Sequence, residues 1–121
     1  MDRLCRIRDI QHAVNHFDRE FSRTYGICLN EGMVLCSLLK ADRLSAGELG
    51  ELLCLSPSNT SKVIRSAEEK GLVGRVYGDR DRRQMYFSLT EKGRRLISSV
   101  RCEDVEMPPL LGCIIKDIPS D

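Results

Sequence analysis

Tryptophan is missing from this 121-residue sequence, and three Phe and three Tyr are its only aromatic residues. A core built from it must rest mainly on Leu, Ile, Val, Met and Cys. Long apolar runs are missing as well. No stretch approaches the ~18 residues needed to cross a bilayer, and the opening MDRLCRIRDIQHAV carries charges throughout instead of the apolar segment of a secretory signal. A cytoplasmic protein with no membrane partner is expected. CxxC pairs are missing too: Cys5, Cys28, Cys36, Cys54, Cys102 and Cys113 are all isolated. A disulfide framework is therefore not expected, and most of these thiols are expected in the core. Nothing resembles a nucleophile beside its base, a phosphate-cradling loop or a paired-carboxylate site, so neither an enzyme nor a cofactor is expected. His12 and His16 stand four apart on one helical face, but no acidic or Cys partner accompanies them. A solvated or interface pair is favoured over a metal site.

The length suits one domain with a single modest core. A net charge of +1 is uninformative until it is divided. Ser56 to Arg95 holds ten Lys/Arg against five Asp/Glu, or +5, while Met1 to Leu55 is −1 and Leu96 to Asp121 is −3. The near-neutral average hides a basic middle, an electrostatic footprint for phosphates.

Leu4, Ile7, Ile10, Val14, Phe17 and Phe21 recur every three or four residues. They predict an amphipathic helix of about five turns that stops near Gly26, with a narrow seam suited to another helix. A second helix is expected from Asn30 as N-cap, with Met33, Val34, Cys36, Leu38 and Leu39 mostly buried. Ser45-Ala-Gly-Glu48 reads as a capping box flanked by Leu44 and Leu49 at staple positions, opening a short helix that ends near Cys54. Ser56 then caps another helix with Pro57 at N1. Two short helices joined this closely read as a helix-turn-helix. On the second of them, Thr60, Val63, Ile64 and Ala67 share the core side, while Ser58, Ser61, Lys62, Arg65 and Glu69 face out. Gly71 ends it. Leu72–Tyr77 and Gln84–Leu89 are β-prone runs around the basic tip GDRDRR, with Met85, Phe87 and Leu89 directed inward. Thr90 caps a fifth helix expected to reach about Cys102. After Pro108-Pro109, the residues Leu110, Leu111, Cys113, Ile114, Ile115 and Ile118 form an apolar cluster that must fold back or meet a second subunit.

The stretches LSAGELGELLCLSPSNTSKVIRSAEEKGLVGR and DRDRRQMYFSLTEKG carry a resemblance to the MarR family of winged-helix transcription regulators. EKGLV after the recognition helix, the Asp81-Arg82-Arg83 tip and LTEKG ending at Gly93 fall in that family's order and spacing. The resemblance implies a mainly α fold with a small antiparallel β wing: one winged helix-turn-helix domain over 1–121, with a DNA-binding lobe at 30–96 and dimerisation helices at 1–29 and 97–121. It implies a homodimer on double-stranded DNA at a pseudo-palindromic operator, acting as a repressor released by a small-molecule effector or a thiol modification. Ser58, Asn59, Ser61, Lys62 and Arg65 match base- or phosphate-contacting positions of the recognition helix. Arg80, Arg82 and Arg83 belong to the wing, with Arg82 at its tip and Asp81 bracing it. The chain departs from the family pattern in its shorter C-terminal region and in Pro108-Pro109, where the family usually continues helically.

Each assignment has a plainer counterpart. Lys62 and Arg65 also fit an ordinary solvated helix face, and the wing arginines fit a loop held by its own aspartates. Cys5, near Arg3 and Arg6, fits a redox-sensing thiol but also a thiol without a partner. Two other functions stay open: a winged helix that docks a protein and binds no DNA, and a regulator that senses oxidants through a thiol.

Overall fold

A computed structural model describes residues 2–78, 80 and 83–116. The chain folds as two compact units, one of Met1–Cys28 with Arg101–Asp121 and the other of Leu29–Val100.

The first unit is built on α1 (Arg3–Tyr25), a 3-10 turn (Cys102–Asp104) and α6 (Pro109–Ile115). Gly26 closes α1 in the left-handed region, where its N–H meets the Ser22 carbonyl. The seam predicted from periodicity divides in two. Phe17 and Phe21 are buried, whereas Leu4, Ile7 and Val14 are 81%, 52% and 39% exposed. Phe17, Phe21 and Tyr25 follow one another along the helix with ring centroids 6.1 and 5.1 Å apart. Beyond them the Tyr25 hydroxyl accepts the Arg101 N–H at 2.9 Å and donates to the Arg101 carbonyl at 3.1 Å, pinning the returning chain. The proline pair begins a helix, with Pro109 at its first position. α6 contacts α1. It buries Leu111 but leaves Leu110, Ile114, Ile115 and Cys113 exposed, so the expected apolar cluster folds back only in part; Ile118 lies outside the described residues.

The second unit runs α2 (Leu29–Ala41), β1 (Arg43–Leu44), α3 (Ala46–Leu53), α4 (Pro57–Glu69), β2 (Val73–Tyr77), β3 (Met85–Leu89) and α5 (Glu91–Ser99). The strands form one antiparallel sheet in the order β1-β3-β2, with Arg75 opposite Phe87 and Leu44 opposite Phe87 on its other flank. Val34, Leu35, Leu38, Leu49, Ile64, Ala67, Leu72, Val73 and Phe87 are its buried apolar residues, joined by Leu44 from β1. Several expectations need correction. α2 starts at Leu29, one residue before the expected cap, and Met33, Cys36 and Leu39 lie on its exposed side. Its sequence is apolar nearly all round, so periodicity could not select the buried face. α5 stops at Ser99, because Val100 turns extended (φ −70°, ψ 127°). Of the cysteines expected in the core, Cys5 and Cys28 are half-buried and Cys36, Cys54 and Cys113 are exposed. Among the described residues no disulfide forms, and no helix is long and apolar enough to cross a membrane.

Local chemistry sets the helix ends. The Ser45 hydroxyl accepts the Glu48 N–H at 3.1 Å, and Glu48 Oε1 accepts the Ser45 N–H at 2.9 Å, which completes the capping box. These bonds, the backbone one foremost, hold the Glu48 carboxyl below its usual range. Ser56 caps α4 by accepting the Asn59 N–H, and Thr90 caps α5 by accepting the Gly93 N–H. α4 closes in a Schellman motif: Gly71 sits at φ +74°, its N–H meets the Glu68 carbonyl at 2.9 Å, and the Leu72 N–H meets Ala67 at 3.0 Å. α3 closes the same way with Cys54 at φ 55° in the glycine position.

Two further devices fix α4 within its unit. The first is a buried carboxylate. Glu31, 2% exposed on α2, accepts from Lys70 Nζ at 2.8 Å and from the Ser66 hydroxyl at 2.9 Å. Its charge is stabilised only by such partners, since burial strips its water. The second is a joint between EKGLV and LTEKG. Lys92 Nζ donates to the Lys70 carbonyl at 2.9 Å, the Thr90 hydroxyl to the Gly71 carbonyl at 2.6 Å, and the Thr90 N–H to the Leu72 carbonyl at 3.1 Å. Gly93 lies so close that a Cβ built there would stand 2.0 Å from the Leu72 oxygen.

Three outcomes follow. Gly93→Ala should lose about 3 kcal/mol or more in urea unfolding, because the clash is with backbone and not with a side chain that can swing away. Lys70→Met should lose about 3 kcal/mol by stripping an ammonium from a buried carboxylate, and adding Glu31→Gln should recover part of that loss. The Glu48 contribution is present above the unfolded carboxyl pKa of about 4.3 and fades as pH falls through its lower folded value. Melting temperatures between pH 5 and 3 should therefore fall less steeply for Glu48→Gln than for the wild type.

Candidate nucleic-acid interface

The face of α4 opposite its buried side is assembled by the turn before it. Cys54 reverses the chain, the Ser56 hydroxyl accepts the Asn59 N–H in the first turn of α4, and Pro57 starts the helix without needing an N–H of its own. With the N-terminus fixed, helical geometry sorts the side chains. Thr60, Ile64 and Ala67 are buried and Val63 is half-buried, whereas Ser58, Asn59, Ser61, Lys62 and Arg65 are all exposed. The Thr60 hydroxyl turns back to the Ser56 carbonyl at 2.8 Å, which keeps a polar atom satisfied at the foot of the helix. Lys62 and Arg65 have no ion-pair or hydrogen-bond partner among the described residues. The result is a face that begins with small polar groups at the positively polarised end of a thirteen-residue helix and carries two available cations further along it.

The wing is closed at its base by the Gly78 N–H on the Gln84 carbonyl at 2.8 Å. Arg80 and Arg83 are exposed, and Arg82 with its expected brace Asp81 lies outside the described residues. Behind the tip, the Arg43 guanidinium covers the Tyr86 ring at 4.7 Å, so β1 shields the face of β3 expected to point to solvent.

Other basic residues of the +5 stretch are engaged by bonding partners within the unit. Lys70 is bound to Glu31, Lys92 to a helix-terminal carbonyl, and Arg75 to Glu68, with Nε to Oε2 at 2.9 Å and Nη2 to Oε1 at 3.3 Å. The hydrogen bond to Glu68 raises the Arg75 guanidinium further above its usual range. Charge counting could not separate these three from Lys62 and Arg65. Residue spacing offered a partial signal, because Lys70 and Lys92 both occur in EKG triplets that terminate or open a helix.

In the first unit, Cys5 shares a cleft of about 590 Å³ with Arg6, Asp9, Ile10, Leu110 and Ile114. His12 is exposed and His16 half-buried, and no group of three or more His, Cys, Asp or Glu among the described residues is placed to hold a metal ion.

Comparison with known proteins places this architecture. The sequence model of the MarR family matches residues 27–85. The HTH-type transcriptional repressor MdtR of Bacillus subtilis is 32% identical over 68 residues, covering 56% of this chain and 44% of MdtR. The HTH-type transcriptional regulator SarZ of Staphylococcus epidermidis is 27% identical over 75 residues, covering 62% of this chain and 51% of SarZ. The chain thus spans about half the length of the curated relatives it matches. Among solved structures, a mutant MarR from E. coli complexed with operator DNA superposes with a TM-score of 0.72 at 21% identity, covering 99% of this chain and 85% of that one. The helix-turn-helix and the first wing strand of this chain match the MarR family model over residues 27–85, and the fold is similar to that of a MarR structure across nearly the whole chain.

Proposed function

We propose that this chain is a sequence-specific DNA-binding transcriptional regulator, a homodimeric repressor on a pseudo-palindromic operator. The observation that carries the reading is the outward face of α4, where five exposed polar or cationic residues include two cations unpaired among the described residues. A small polar surface of this kind lets a helix sit deep in a major groove while offering donors to base edges. Ser58, Asn59 and Ser61 take base edges or phosphates, Lys62 and Arg65 supply charge, and Arg80, Arg82 and Arg83 carry the wing to an adjacent minor groove with Asp81 as brace. Support comes from MdtR being named a repressor and from the MarR neighbour being complexed with operator DNA.

The assembly part of the reading assigns residues 30–96 to the DNA-binding lobe, and 1–29 with 97–121 to dimerisation. The exposed Leu4, Ile7 and Val14 on α1 and Leu110, Ile114 and Ile115 on α6 support it, since apolar side chains in such number favour burial against a second copy. Release by a small-molecule effector or by thiol modification completes the proposal, with Cys5 in its cleft as the thiol concerned. The protein works in the cytoplasm.

Titration of the purified protein against its own upstream DNA and against random duplex, each at two salt concentrations, tests the reading. Upstream DNA should bind about 10³-fold tighter or better, and binding should weaken steeply with salt. Lys62→Ala and Arg82→Ala should each flatten the salt slope by about 1. Equal affinity for both duplexes removes sequence specificity. No salt-sensitive affinity for either points instead to a winged helix that docks a protein.

A further inference from the structure

Arg65 and Glu68 stand three residues apart on α4, the spacing at which opposite charges on a helix pair with each other. They do not pair. Arg75, from the middle of β2, takes both Glu68 oxygens in a forked contact, and Arg65 is left without a partner among the described residues. The three side chains line one cleft of about 170 Å³ together with Ser61 and Met85. A Glu68 carboxylate released from Arg75 has Arg65 as its nearest alternative along the helix. The forked guanidinium–carboxylate geometry favours the pair that is formed.

We infer that Arg75 is a positioning residue for DNA binding: it holds the Glu68 carboxylate against the wing and so keeps Arg65 unpaired for the duplex. The inference rests on the DNA-binding reading above. It assigns a role to a residue that is itself neither on the outward face of α4 nor at the wing tip. Arg75 and Glu68 cancel each other, and the net effect is one positive charge preserved at Arg65.

The test compares duplex affinity and salt slope for the wild type, Arg75→Met, Glu68→Gln and the double variant, using the upstream DNA. Arg75→Met should weaken binding about ten-fold and flatten the salt slope by about 1, because Glu68 then neutralises Arg65. Adding Glu68→Gln should restore both affinity and slope. If Arg75 acts only by tying the wing to α4, the double variant stays as weak as Arg75→Met, since the tie is broken in both; that result overturns the inference. Glu68→Gln alone gives a second reading that does not depend on Arg75→Met folding. It should bind as tightly as the wild type or more so, whereas a pure tie predicts weaker binding. Wild-type protein with no salt-sensitive duplex affinity overturns the DNA-binding reading itself, an outcome separate from a failed rescue in a protein that does bind.

Discussion

Three consecutive carbonyl oxygens, those of Lys70, Gly71 and Leu72, meet the short segment Thr90–Gly93. A helix C-terminus leaves such oxygens without intrahelical donors, and burying them unsatisfied is expensive. Here an ammonium, a hydroxyl and a backbone N–H each take one, and the missing side chain of Gly93 lets α5 come close enough for that to happen. The ammonium of Lys92 also lies at the negatively polarised end of α4, where a cation is favoured. α4, the two wing strands and α5 are therefore registered against one another at a single point. The two short motifs that mark this region in sequence are the two halves of that contact.

The same region shows why net charge is a coarse guide to a binding surface. Of the basic residues between Ser56 and Arg95, Lys70, Arg75 and Lys92 hold the fold together, and Lys62 and Arg65 stand outside it. Internal carboxylates do the sorting. Glu31 reaches Lys70 from the neighbouring helix, and Glu68 reaches Arg75 from α4 itself. Desolvation makes the first pair rigid, because a 2% exposed carboxylate has little water to fall back on. The second pair is surface-exposed, and its importance lies in geometry and in which neighbour it leaves alone.

What the sequence made legible was local. The period of α4 separated Thr60, Ile64 and Ala67 from Ser58, Asn59, Ser61, Lys62 and Arg65, and the caps at Ser45, Ser56 and Thr90 are side-chain contacts three residues long. What it hid was non-local or had no period. β1 is two residues long and exists because β3 is there to pair with it. Glu31 finds Lys70 thirty-nine positions away, which no spacing rule anticipates. The end of α5 at Ser99 was obscured by Val100, an apolar residue in helical phase whose backbone is nonetheless extended. The thiols misled for a related reason: Cys36 and Met33 continue an apolar pattern on α2 that has no polar side to orient it.

The hydroxyl of Tyr25 on the backbone of Arg101 closes a loop of 76 residues, whereas the contacts of Thr90 and Lys92 close loops of only 19 and 22. Chain entropy makes the short closures the easier ones, and contacts near in sequence form sooner than distant ones. The unit Leu29–Val100 is also continuous in sequence, while the unit containing α1 needs residues from both sides of it. As the chain leaves the ribosome, the unit Leu29–Val100 can complete itself with nothing that follows Val100. α1 is made before that unit and is finished after it, its aromatic row waiting for Arg101 and α6 to arrive.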